Sequence, residues 1–135
     1  MALNPYLIFD GNAREAALYY AQVFGLEEPQ IMTYGSVHAE GLPPDAENLV
    51  MHTSLDIAGG KLMISDNYPD SPYQQGNNFT VAYVSNDEAA IRSAFEKLKD
   101  GSTVKMELQE TPWSKCYGSV IDRFNIEWQF SHEEV

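Results

Sequence analysis

The spacing of apolar positions along this chain changes in the same order twice. Tyr6-Leu7-Ile8-Phe9 is a short unbroken apolar run that Asp10-Gly11 interrupts. Ala13, Ala16, Ala17, Tyr20, Val23 and Phe24 then recur at steps of three and four, placing them on one face of a helix that Gly25 ends. Residues 30–36 read as a strand, and 38–48, with Pro43-Pro44, as an irregular stretch. From Leu49 the spacing falls to two: Leu49, Met51, Thr53, Leu55 and Ile57 alternate with Val50, His52, Ser54 and Asp56. Ala58-Gly59-Gly60 predicts a hairpin turn into a strand over 61–65, because paired glycines permit positive φ.

After a polar link over 66–77, the pattern returns. Phe79-Thr80-Val81-Ala82-Tyr83-Val84 is followed by Ser85-Asn86 and a helix with Ile91, Ala94, Phe95 and Leu98 on one face, ended by Gly101. Strands are predicted over 104–109, 113–121 and 126–130, the last two joined by a turn at Asp122-Arg123-Phe124-Asn125. Each helix has a capping-box candidate, Asn12 with Glu15 and Ser85 with Glu88. Lys97 and Lys99 sit at the negative end of the second helix. The expectation is an α+β fold of two βαβββ modules, near 1–70 and 77–135, in a single domain. The modules would form a cup-shaped mixed sheet with both helices on its outer face.

Composition narrows the function classes. A net charge of −12 with only eight Lys and Arg argues against nucleic acid, which requires clustered basic residues. The acidity serves either solubility or a bias toward cationic ligands. No apolar run approaches the roughly 20 residues of a membrane helix, and the first residues show no signal-peptide pattern, so the expected location is cytoplasmic. Cys116 stands alone, so no internal disulfide can form, and with no paired His motif it reads as a buried inert thiol.

Several stretches together resemble the vicinal oxygen chelate superfamily, the glyoxalase, bleomycin-resistance and dioxygenase group. Within it they resemble the PhnB-like, 3-demethylubiquinone 3-methyltransferase-like branch. They are Pro5-Tyr6-Leu7-Ile8-Phe9 with Gly11-Asn12, Ala17-Leu18-Tyr19-Tyr20 with Val23-Phe24-Gly25, Met51-His52, and Gly60-Lys61-Leu62-Met63-Ile64-Ser65-Asp66. Leu108-Gln109-Glu110-Thr111-Pro112-Trp113, Tyr117-Gly118 and Asp122-Arg123-Phe124 complete the set. The resemblance implies a homodimer and a divalent metal held by His and Glu. The positions that would carry those ligands fall at Pro5, Met63, Phe79 and Gln129, and only Gln129 offers a suitable oxygen. No metal and no cofactor is therefore expected. No glycine-rich strand–helix turn suited to a methyl-donor cofactor is present either.

The expected function is binding of a small, partly aromatic molecule, cationic if the acidity bears on it, in an apolar cup. The alternative is a metal-dependent lyase, isomerase or dioxygenase. Leu7, Phe9, Met63, Phe79, Val81 and Tyr83 are expected to point inward, with His52 and Gln129 as polar contacts. His52 is either a hydrogen-bonded structural residue or a ligand contact. Trp113 and Tyr117 share strand parity and either wall the site or pack in the core. His38 is expected in a solvated loop, His132 in a solvated tail, and Asp66 at a chain turn. Asn78-Phe79-Thr80 matches a glycosylation sequon without meaning for a cytoplasmic strand.

Overall fold

The computed structural model describes residues 1–37 and 40–134. The chain divides into two compact units, residues 1–75 and 76–135. The first contains β1 (Tyr6–Phe9), α1 (Ala13–Val23), β2 (Met32–Thr33), β3 (Val50–Ile57) and β4 (Gly60–Asp66). The second contains β5 (Thr80–Ser85), α2 (Glu88–Lys99), β6 (Thr103–Thr111), β7 (Ser114–Ile121) and β8 (Glu127–His132). Their sheets have the orders β1-β4-β3-β2 and β5-β8-β7-β6. In both, the first strand runs parallel to the fourth, and the later pairs are antiparallel. The repeat read from spacing is thus a repeat of topology, βαβββ twice. The hydrogen-bonded strands make two sheets of four.

In the first module, Ala13, Ala16, Ala17 and Tyr20 are fully buried where α1 packs on β3 and β4. The helix ends as the glycine predicted. Gly25 adopts φ +68°, its N–H donates to the Gln22 carbonyl, and Leu26 N–H donates to the Ala21 carbonyl at 2.8 Å. Its start differs from expectation. Asn12 makes no side-chain cap, and the Asp66 carboxylate accepts instead from Gly11 N–H and Ala13 N–H, both at 3.0 Å. The other oxygen of Asp66 accepts from Val50 N–H at 2.9 Å. The strand expected over 30–36 shrinks to Met32–Thr33. Thr33 and Ser36 exchange side-chain-to-backbone hydrogen bonds that wind the chain into a 3-10 turn, Gly35–Val37.

The β3–β4 hairpin turns one residue earlier than paired glycines suggested. Ile57 pairs with Gly60, and the positive-φ residues are Ala58 (φ 50°) and Gly59 (φ 85°). This two-residue turn suits Asn-Gly, and Ala58 pays for its Cβ in the left-handed region. Ala58→Asn is expected to raise stability by about 0.5–1 kcal/mol, read as a higher urea midpoint at unchanged slope. A lower midpoint would refute this reading of the turn.

In the second module, Ile91, Ala94, Phe95 and Leu98 of α2 are buried as expected. The cap again lies elsewhere. Ser85 is the last residue of β5 and pairs with His132, so Asp87 caps the helix, its carboxylate accepting from Ala90 N–H at 3.2 Å. Asp122 closes the β7–β8 turn, accepting from Phe124 N–H, Ile126 N–H and, at 2.9 Å, the Trp128 indole N–H.

Candidate functional site

Each sheet has one face under its helix and one face free of it, and strand register assigns side chains to them. In the first module Leu7 and Phe9 are buried, and Leu7 pairs with Ile64, which pairs with Thr53. This is the α1 side. Tyr6, Met63 and Ser54 align on the helix-free face, with Ile8, Ser65 and His52. The expectation that Leu7 and Phe9 share a face with Met63 is therefore corrected.

The second module carries the same correction. Val81 and Tyr83 pair with Trp128 and Phe130 on the α2 side, whereas Gln129 pairs with Ala82 on the other. Tyr83 rests 5.6 Å from the Phe130 ring, and burial raises its hydroxyl pKa against a lowering hydrogen bond with Ser85. Phe79 precedes β5 and is 60% exposed. The physical reason is common to both modules. Neither first strand alternates cleanly between apolar and polar residues, and the buried alternate residues are those beneath the helix.

On the helix-free face of the second module, four side chains join. Trp113, in the turn between β6 and β7, meets Tyr117 edge-on at 5.3 Å. The Tyr117 hydroxyl donates to the Gln129 amide oxygen, and the Gln129 amide N–H donates to the Thr80 hydroxyl at 2.8 Å. An aromatic corner thus continues into a polar string that crosses β7, β8 and β5. Trp113 is 62% exposed, so its ring is not core packing. On the corresponding face of the first module, the Tyr6 hydroxyl lies 3.1 Å from His52 Nδ1, with the rings 5.7 Å apart. Tyr34 packs edge-on against Tyr68, and its pKa is raised by burial first and then by Tyr68, Tyr6 and Asp66.

His132 departs most from expectation. It is not a tail residue but the last residue of β8, only 5% exposed. Its backbone N–H and carbonyl both bond the Ser114 hydroxyl, which also bonds Cys116, so that hydroxyl is committed to holding β7 to β8. His132 occupies in its module the place that Asp66 holds in the other, since Phe9 pairs with Asp66 and Ser85 with His132. Trp113, Lys115, His132 and Glu134 line a hollow of about 540 Å3. Cys116 is buried, and burial pushes its thiol pKa up, which keeps it protonated and unreactive. His38 lies outside the described residues.

The chelate positions do not fit a divalent metal. Met63 offers a thioether, Pro5 and Phe79 nothing, and the Gln129 oxygen already accepts from Tyr117. Among the described residues, no three of His, Cys, Asp and Glu gather as a metal set. Tyr6, Thr80, Lys115 and His132 were not singled out for these sites from sequence. Repeat register was the signal available for His132, and one-residue parity for Tyr6.

Two βαβββ modules, each with a helix on one face of a four-stranded sheet, define a glyoxalase-like protein of the vicinal oxygen chelate superfamily. Residues 1–131 match the family model described as 3-demethylubiquinone-9 3-methyltransferase, and the chain belongs to that family, the PhnB-like branch of the superfamily. It is 29% identical to protein YjdN of Escherichia coli over 140 residues, spanning 97% of this chain and 95% of that protein. Protein PA1353 of Pseudomonas aeruginosa is 30% identical, with a TM-score of 0.82 over 100% of this chain and 99% of that one. The PhnB protein of Bacillus cereus, 24% identical with a TM-score of 0.75 over 98% and 100%, shares the fold. Among the described residues, no helix is long and apolar enough to cross a membrane.

Proposed function

We propose that the protein binds a small, partly aromatic molecule on its helix-free sheet faces without a catalytic metal. The Trp113–Tyr117–Gln129–Thr80 array carries this reading. An exposed aromatic corner gains from covering, and the adjoining amide and hydroxyls fix a ligand's orientation. The net charge of −12 favours a cationic ligand, drawn by the overall field and held by the ring faces. Methyl transfer is not part of the reading, because the strand–helix turns Asp10-Gly11-Asn12 and Asn86-Asp87 carry no glycine-rich phosphate loop. Homodimerisation belongs to the same proposal by family likeness, and sedimentation as a monomer at high micromolar concentration would remove it.

A thermal-shift screen of cationic aromatic compounds against neutral and anionic analogues tests the ligand class. Cations at a hundredfold excess over Kd are expected to stabilise the protein by about 2.7 kcal/mol. Trp113→Ala is expected to weaken that binding about tenfold, the value of one desolvated cation–π contact, while leaving the fold intact because the ring is largely exposed. Equal response to every charge class would discard the electrostatic half of the proposal. Binding unaffected by Trp113→Ala would discard the array. The metal-dependent alternative is tested by elemental analysis of protein purified without chelator. A stoichiometric transition metal, lost on substituting His52 or Gln129, would favour it.

A further inference from the structure

We propose that the hollow beside the β6–β7 turn is a site for a small aromatic carboxylate, and that Glu134 occupies the carboxylate position now. The hollow is lined by Trp113 in the turn, Lys115 on β7 and His132 at the end of β8, with Glu133 and Glu134 beyond the strand. His132 is more than nine-tenths buried, yet its imidazole makes no hydrogen bond among the described residues. Its nearest charged partner is Glu134, with Nε2 3.9 Å from Oε1. The same carboxylate oxygen lies 3.1 Å from the Lys115 ammonium. A carboxylate therefore sits between an ammonium and an imidazole nitrogen that can donate in its Nε2–H tautomer.

That carboxylate is easily displaced. The backbone is held as far as Glu133, whose N–H donates to the Ser85 carbonyl at 3.0 Å. The Glu134 side chain beyond it is 77% exposed, and its partners among the described residues are Lys115 and His132 alone. An exposed ion pair of this kind is weak and gives way to a competing ligand. A benzoate-like molecule would set its carboxylate where Glu134 now lies and its ring against the exposed Trp113 indole. A cationic ligand would instead meet Lys115 and compete with it for Glu134. Ser114 takes no part, because its hydroxyl is committed to backbone groups of Cys116 and His132.

This site shares Trp113 with the cationic reading above but differs from it in charge preference, and the Lys115 and Glu134 variants leave Trp113, Tyr117, Gln129 and Thr80 untouched, so they test this site alone. The test is titration with sodium benzoate at fixed ionic strength, alongside benzyl alcohol and benzylamine. It is followed through the Trp113 indole N–H resonance, assigned by its loss in Trp113→Phe. Glu134→Gln is expected to tighten benzoate binding about threefold to tenfold, the worth of one exposed pair no longer competing. Adding Lys115→Met is expected to reverse that gain. Both positions are largely exposed, so the fold persists in either variant. The proposal is overturned if benzoate binds equally to the wild type and Glu134→Gln, if benzylamine or benzyl alcohol gains as much as benzoate, or if Lys115→Met changes nothing.

Discussion

Replacing Asp66 with alanine is expected to lower the free energy of unfolding by about 4 kcal/mol, the summed cost of stranding two buried backbone donors and one part-buried one. The carboxylate is 4% exposed and accepts N–H bonds from three points in the chain: Gly11 in the β1–α1 turn, Ala13 at the first turn of α1, and Val50 at the start of β3. Asp66→Asn is expected to lose roughly half as much, because its single amide oxygen serves one side of the site while the amide N–H₂ faces donors on the other. Urea denaturation with matched slopes measures both. An alanine variant within 1 kcal/mol of wild type would show that solvent replaces the carboxylate, contrary to its burial.

Gly118→Ala is expected to destabilise the second module by about 2–3 kcal/mol through overpacking. A methyl there would lie 2.9 Å from Leu108 Cδ2, 3.0 Å from the Met106 carbonyl oxygen and 3.0 Å from Phe95 Cε2. The partly exposed Leu108 side chain can turn, but Phe95 is buried against Phe130, and the carbonyl belongs to the β6 backbone and moves only if the β6–β7 pairing shifts. A glycine in mid-strand lets α2 press Phe95 onto β7. The test is the midpoint of thermal or urea unfolding, with Ser119→Ala on the opposite face as the control that is expected to stay near wild type. A Gly118→Ala protein as stable as wild type would mean that α2 does not sit so closely on the sheet.

What could be read from residues depended on how local the determining interaction is. Helix faces were legible because Ala13, Ala16, Ala17 and Tyr20, and likewise Ile91, Ala94, Phe95 and Leu98, mark them within a few turns. The α1 cap was not, because its acceptor, Asp66, lies 53 residues from Ala13. Strand parity was legible in β3, where Leu55 is buried and His52 lies on the opposite face. It was hidden in β1, where four apolar residues in a row look alike from either side. Trp113 and Tyr117 were legible as a pair from their spacing. The partners of Gln129 were not, because Tyr117 and Thr80 reach it only through cross-strand register. His132 looked like a tail because nothing near it in sequence says that β8 extends to pair with Ser85.

The strand order has a consequence for how this chain comes off the ribosome. In each module the strand made last, β4 or β8, is an inner strand with neighbours on both sides. The first strand and its helix emerge early, yet β1 has no hydrogen-bonding partner until residues 63–66 are made, and β5 none until residues 127–132 are made. At ordinary elongation rates of roughly 5–20 residues per second, each half spends seconds as a nascent chain with an apolar strand and helix face uncovered. Translation that stalls before the final strand leaves β5 and β7 without the strand between them. Nascent-chain chaperones would find their binding surface here in two separate intervals, one for each module.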